Sequence, residues 1–179
     1  MKHLSDFLPL DICIASGHCN GVRNETLNAG LQSIGQTVNT LHASIHSMYA
    51  EPTHGVDESD IELQFESGDT LRTSVAHGGE ALLLSTPIGP SYVCEDGFGV
   101  ERRDISADQP WGTLVGLKIE KIDALLMPRR KSHVISGFLL HFSPNIRVGF
   151  RNLTIFDEGT LLSFDPVLDD SDRVLVNWL

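Results

Sequence analysis

Three blocks of alternating apolar residues occur twice in this chain, in one order and at nearly one spacing. Gly35–Ile45 aligns without gaps on Gly116–Leu126, an offset of 81 residues, with apolar matches at Val38/Ile119, Leu41/Ile122 and Ile45/Leu126. Ile61–Phe65 then matches Phe138–Phe142, and after a short turn Leu71–Val75 matches Ile146–Phe150. A third block sets Gly79–Leu84 against Gly159–Phe164. Such internal repetition constrains a fold more than any single motif, because each copy must bury its apolar face against something of the same kind.

The period within the blocks names the elements. Ile61, Leu63 and Phe65 alternate with Glu62, Gln64 and Glu66, and Leu71, Thr73 and Val75 resume the alternation after Ser67-Gly68-Asp69. This is a half-buried β-hairpin. Residues 136–150 form its counterpart, turning at Pro144-Asn145. Val38, Leu41 and Ile45 also suit a helix. Thr37, Val38 and Thr40, with the Lys-Ile-Glu-Lys-Ile run at 118–122, favour a strand instead. One meander of three or four strands buries a single face and is marginal alone. The expectation is therefore a mainly β chain with few helices: an antiparallel sandwich or open barrel of two β-meander repeats, about 31–85 and 112–164. Residues 1–179 make one domain on this reading, and 86–110, rich in Pro, Gly and charge, is an irregular joint. Leu4, Phe7 and Leu8 suit a short helix, 11–15 an added strand, and 173–179 a closing strand.

The chain carries 13 Lys+Arg against 24 Asp+Glu, a formal charge of −11. That excess argues against binding nucleic acid or an anionic membrane and for attraction to a basic protein. The acids are concentrated. Residues 51–69 include Glu51, Asp57, Glu58 and Asp60, and residues 157–172 include Asp157, Glu158, Asp169, Asp170 and Asp172; neither segment has a Lys or Arg. The loop between the first two blocks is acidic in copy one, whereas copy two reads Arg129-Arg130-Lys131 there. Charged loops also keep β proteins soluble and protect sheet edges. The functional expectation is that the nine acids named form a face for a basic partner.

Other chemistry is thinly represented. Cys13, Cys19 and Cys94 are odd in number and form no CxxC, which leaves no disulfide framework and no self-contained Cys zinc site. His18-Cys19 between Gly17 and Gly21 reads as a turn rather than a nucleophile with its base, and Cys13 reads as core. His42 and His46 have metal-ligand spacing only on a helix. The acidic runs lack the EF-hand order, and no metal or cofactor is expected. Walker, GxGxxG and GxSxG motifs are missing. No run approaches the ~18 apolar residues of a membrane span, and residues 1–15 make a poor signal peptide, so a cytoplasmic setting is expected.

The pattern Gly-x-x-Val/Ile-x-x-Leu/Ile, then a Phe-ended strand, a Gly/Asn turn and a second alternating strand, resembles small bacterial immunity-type proteins. Those proteins neutralise polymorphic or contact-dependent toxins. Gly116–Leu126, Phe138–Phe142 and Ile146–Phe150 carry the resemblance, with the fainter copy at 35–75; together they cover about half the chain. It implies a cytoplasmic, non-enzymatic, acidic inhibitor that blocks the active site or exosite of a basic toxin nuclease domain, with no family-wide functional residue to carry over. The competing expectation is a small-ligand or carbohydrate-binding β domain, or a hydrolase, with a cleft between the repeats near Tyr92, Trp111, His141 and Arg147.

Overall fold

The computed structural model describes residues 2–7, 19–47, 61–75, 82–85, 92–93, 99–128, 133–152, 160–164 and 174–178. A 3₁₀ turn (Leu4–Asp6) precedes helix α1 (Cys19–Ser33) and strands β1 (Val38–Ser47), β2 (Ile61–Phe65), β3 (Thr70–Val75), β4 (Leu82–Ser85), β5 (Tyr92–Val93) and β6 (Gly99–Asp104). A second 3₁₀ turn (Trp111–Leu114) leads into β7 (Ile119–Pro128), β8 (His133–Phe142), β9 (Ile146–Asn152), β10 (Thr160–Phe164) and β11 (Val174–Asn177). The first sheet runs β4-β3-β2-β1-β6-β5 and the second β10-β9-β8-β7-β11, all antiparallel. The sheets are not closed into a barrel, and the architecture is a mainly β sandwich.

The two sheets share one plan, from edge to centre and beyond. In each, a four-strand meander is followed by a strand that returns to the free side of the meander's first strand: β6 beside β1, β11 beside β7. The registers agree in detail. Val38 pairs with Phe65 and Ile119 with Phe142, and each pair is followed by an irregularity before Thr40 and Lys121. Leu41–Leu63–Leu71 and Ile122–Leu140–Val148 are corresponding rows of the core. Backbone bonds to the returning strands correspond too: Ile105 donates to Leu41 at 2.9 Å, and Trp178 donates to Ile122 at 3.0 Å.

Alternation delivers the core. The inward positions are filled by Leu41, Ile61, Leu63, Phe65 and Leu71 from one sheet and by Ile122, Leu126, Phe138, Leu140, Phe142, Val148 and Phe150 from the other. Trp111 and Leu114 of the second 3₁₀ turn join them, with the Trp111 indole edge-on to Phe164 at 5.4 Å. Each fully buried aliphatic or aromatic side chain contributes about 1.5–3 kcal/mol.

Three expectations need correction. The segment 86–110 contains β5 and β6, and β6 pairs along β1 near the middle of its sheet. It hides in the sequence because Glu101, Arg102, Arg103 and Asp104 put charge on both faces, so no alternation shows. The second correction concerns alignment: the register relates Leu71 to Val148 rather than Ile146, and Leu82 to Thr160 rather than Leu162. Both shifts are of two residues, which leaves every side chain on its face and is invisible to periodicity. The third is α1. Cys19–Gly21 open a helix, not a turn. Its buried positions, Thr26, Gly30 and Ser33, are small or polar, so no apolar stripe announces it. The strand expected at 11–15 lies outside the described residues.

Candidate functional site

The nine acids expected to form a face, Glu51, Asp57, Glu58, Asp60, Asp157, Glu158, Asp169, Asp170 and Asp172, lie outside the described residues. In the sequence, residues 51–69 and 157–172 hold 13 of the 24 acids and no Lys or Arg, and the rest of the chain holds 11 acids against 13 Lys+Arg. Residues 48–60 join β1 to β2, and residues 165–173 join β10 to β11.

The cleft expected between the repeats does not assemble from its four residues. Trp111 is buried in the core. His141 and Arg147 are register partners on the outer face of the second sheet, opposite the side that carries Leu140 and Val148. Tyr92 belongs to β5 at the edge of the other sheet.

On each outer face, a carboxylate is instead sunk among the strands and held by an imidazole and a cation. In the first sheet Glu62, 1 % exposed, bonds the Arg102 guanidinium, whose Nη2 also donates to His42 Nδ1 at 3.0 Å. That bond requires the tautomer protonated on Nε2. Burial holds the His42 pKa below the usual imidazole value, the Arg102 charge adds to this, and Asp104 and Glu62 oppose it. Asp104, the register partner of His42 on β6, has its own carboxyl pKa lowered by hydrogen bonds from Ser106. In the second sheet Asp123 stands where His42 stands in the first. Its Oδ2 accepts from His141 Nε2 at 2.8 Å, and Lys121 Nζ lies 2.7 Å from Oδ1. Each cluster ties adjacent strands together by satisfying a charge that would otherwise be costly to bury. Among the described residues no group of three or more His, Cys, Asp and Glu side chains is arranged to hold a metal. His42 and His46 share β1, not a helix.

A concave feature lies elsewhere. A groove of about 210 Å³ runs between α1 and the β2–β3 turn, lined by Glu25, Asn28, Ala29, Gln32 and Ser33 on the helix and by Phe65, Asp69 and Thr70 on the hairpin. The helix residues follow i, i+3, i+4, i+7 and i+8 and so share one face. That spacing is present in the sequence, but it falls on polar and small residues and so gives no apolar stripe to mark a helix. Gly30 seats the helix: its backbone lies directly on the Trp178 indole, whose Nε1 donates to the Leu27 carbonyl at 3.2 Å.

No family model, curated protein or solved structure matches the chain. No described helix is long and apolar enough to cross a membrane.

Proposed function

We propose that the chain is a non-enzymatic binding protein that captures a basic protein partner through the acidic segments of its sequence, an inhibitor of the immunity type directed at a toxin nuclease domain. The observation that supports this is the partition of charge. A protein acidic merely for solubility has no need to concentrate its acids in two stretches of sequence, 51–69 and 157–172. Here the sheets carry their own ion pairs, Glu62–Arg102, Asp123–Lys121 and Arg103–Asp108, while residues 48–60 and 165–173 hold eight acids and a single Arg. Acidic segments between rigid strands steer a basic partner and add specificity at little cost to folding. The internal resemblance of the two halves fits a duplicated β unit whose loops have diverged in charge.

The test is growth protection. A toxin-like product of the neighbouring reading frame is expected to arrest growth alone, and co-expression of this chain to restore it. A variant carrying D57N, E58Q, D60N, D169N, D170N and D172N is expected to protect poorly. Arrest that persists beside the wild-type chain contradicts the proposal.

A further inference from the structure

The groove between α1 and the β2–β3 turn combines features that the outer-face clusters lack. It is concave, with the small Ala29 and Ser33 side chains leaving room where larger residues would fill it. Glu25 and Asp69 stand on opposite walls, one on the helix and one on the hairpin. Asp69 receives only neutral donors, Ser67 Oγ at 3.0 Å and Gln36 Nε2 at 3.5 Å. Among the described residues no Lys or Arg pairs with either carboxylate, whereas the carboxylates of Glu62, Asp108 and Asp123 all have cationic partners. The remaining lining comes from Asn28, Gln32 and Thr70, whose side chains carry amide and hydroxyl oxygens, and from Phe65, which is itself buried in the core. Two carboxylates with no cationic partner among the described residues, with acceptor oxygens beside them in one recess, suit an alkyl chain tipped by a cation.

We propose that this groove receives a Lys or Arg side chain of the basic partner, held between Glu25 and Asp69. The proposal rests on the binding reading above for the source of the side chain, but the groove's chemistry stands on its own residues. It adds to that reading a fixed anchoring point beside segments that act at longer range. Charge in the connecting segments brings the partner near; the groove sets how it docks.

The test uses the full chain and two small probes, N-acetyl-arginine amide and N-acetyl-lysine amide, with N-acetyl-alanine amide as the neutral control. Amide chemical shifts of Gln32, Ser33, Asp69 and Thr70 are followed by NMR. The cationic probes are expected to shift these amides saturably, with millimolar dissociation constants, and the control to leave them in place. Glu25→Gln with Asp69→Asn is expected to weaken binding at least about fivefold, as the loss of two partly exposed ion pairs implies. Ala29→Met, which fills the groove without touching either charge, is expected to abolish it. Shifts that fail to saturate, that appear equally with the control, or that survive both variants overturn the proposal. Probe binding with no growth protection by the wild-type chain would reject the function above and leave the groove standing. Growth protection unaffected by Ala29→Met would do the reverse.

Discussion

Gly35 and Gly116 stand at matching points where the two sheets meet. Gly35 donates its amide to the Ile119 carbonyl at 2.7 Å, and Gly116 donates its own to the Val38 carbonyl at 2.8 Å. Val38 and Ile119 repeat the exchange with Leu117 and Gln36, both at 2.9 Å, about an isolated antiparallel bridge between Thr37 and Lys118. Each glycine follows a helical turn and has a positive φ, +90° and +79°. The residues after them correspond as well: Gln36 donates to the Ser33 carbonyl at 3.1 Å and Leu117 to the Leu114 carbonyl at 3.0 Å.

Gly35→Ala and Gly116→Ala are therefore expected to cost similar amounts, about 1–2 kcal/mol each, because an L side chain resists that backbone region. No atom crowds a Cβ built at Gly116, so the penalty there comes from the backbone alone. Urea unfolding of the two variants checks the expectation. A neutral or stabilising effect at either site contradicts it.

Gly30→Ala behaves differently, since the added methyl would collide with the Trp178 ring. Overpacking of this kind costs about 1–3 kcal/mol, more than the ~1 kcal/mol that Ala gains over Gly in a helix. Thermal denaturation should show a net loss. Near-ultraviolet circular dichroism should also change, because Trp178 packs against Phe138 with ring centroids 5.4 Å apart.

Acid sensitivity should depend on His42. Its pKa in the folded chain lies below the ordinary 6.5, chiefly through burial and then through Arg102, so the unfolded chain binds that proton more tightly. Stability is full above pH 6.5 and falls as the pH drops from there towards the folded value. His42→Gln should flatten the dependence of the urea midpoint between pH 7 and 5.5. Asp104 contributes in a lower window: its lowered pKa stabilises the fold above about 3.8, and that contribution is lost as acid protonates it.

The Asp123 cluster should be cooperative. His141→Ala or Lys121→Ala leaves the buried carboxylate with one partner, at an expected cost of about 1–3 kcal/mol each. Removing both strands the charge, so the double variant should lose more than the sum. A thermodynamic cycle measures the coupling, and simple additivity would contradict the role assigned to Asp123.

The sandwich was legible in the sequence because its core strands alternate: Ile61-Leu63-Phe65 and Phe138-Leu140-Phe142 face inward in the structure as the period-2 pattern requires. Register was not, since shifts of two residues preserve the pattern, and only the hairpin pairing Leu63–Leu71 beside Leu140–Val148 fixes it. Strand β6 escaped notice because backbone pairing to β1, not apolar content, holds it in place. Helix α1 escaped because its buried positions Thr26, Gly30 and Ser33 are small or polar, and among its described residues only Leu27 and Ala29 pack apolar side chains against the core. The ion clusters could not have been foreseen from spacing alone: His42, Glu62 and Arg102 come from three strands brought side by side by the sheet order β2-β1-β6.

The capture of a basic partner is tested most directly by its association rate as a function of ionic strength. With the partner in hand, stopped-flow rates are measured from 20 to 500 mM salt for the wild-type chain and for the variant neutralised at Asp57, Glu58, Asp60, Asp169, Asp170 and Asp172. Electrostatic steering predicts a wild-type rate that falls at least about tenfold across this range, and a variant that starts slow and responds little to salt. Equal rates for the two proteins, independent of salt, would contradict it.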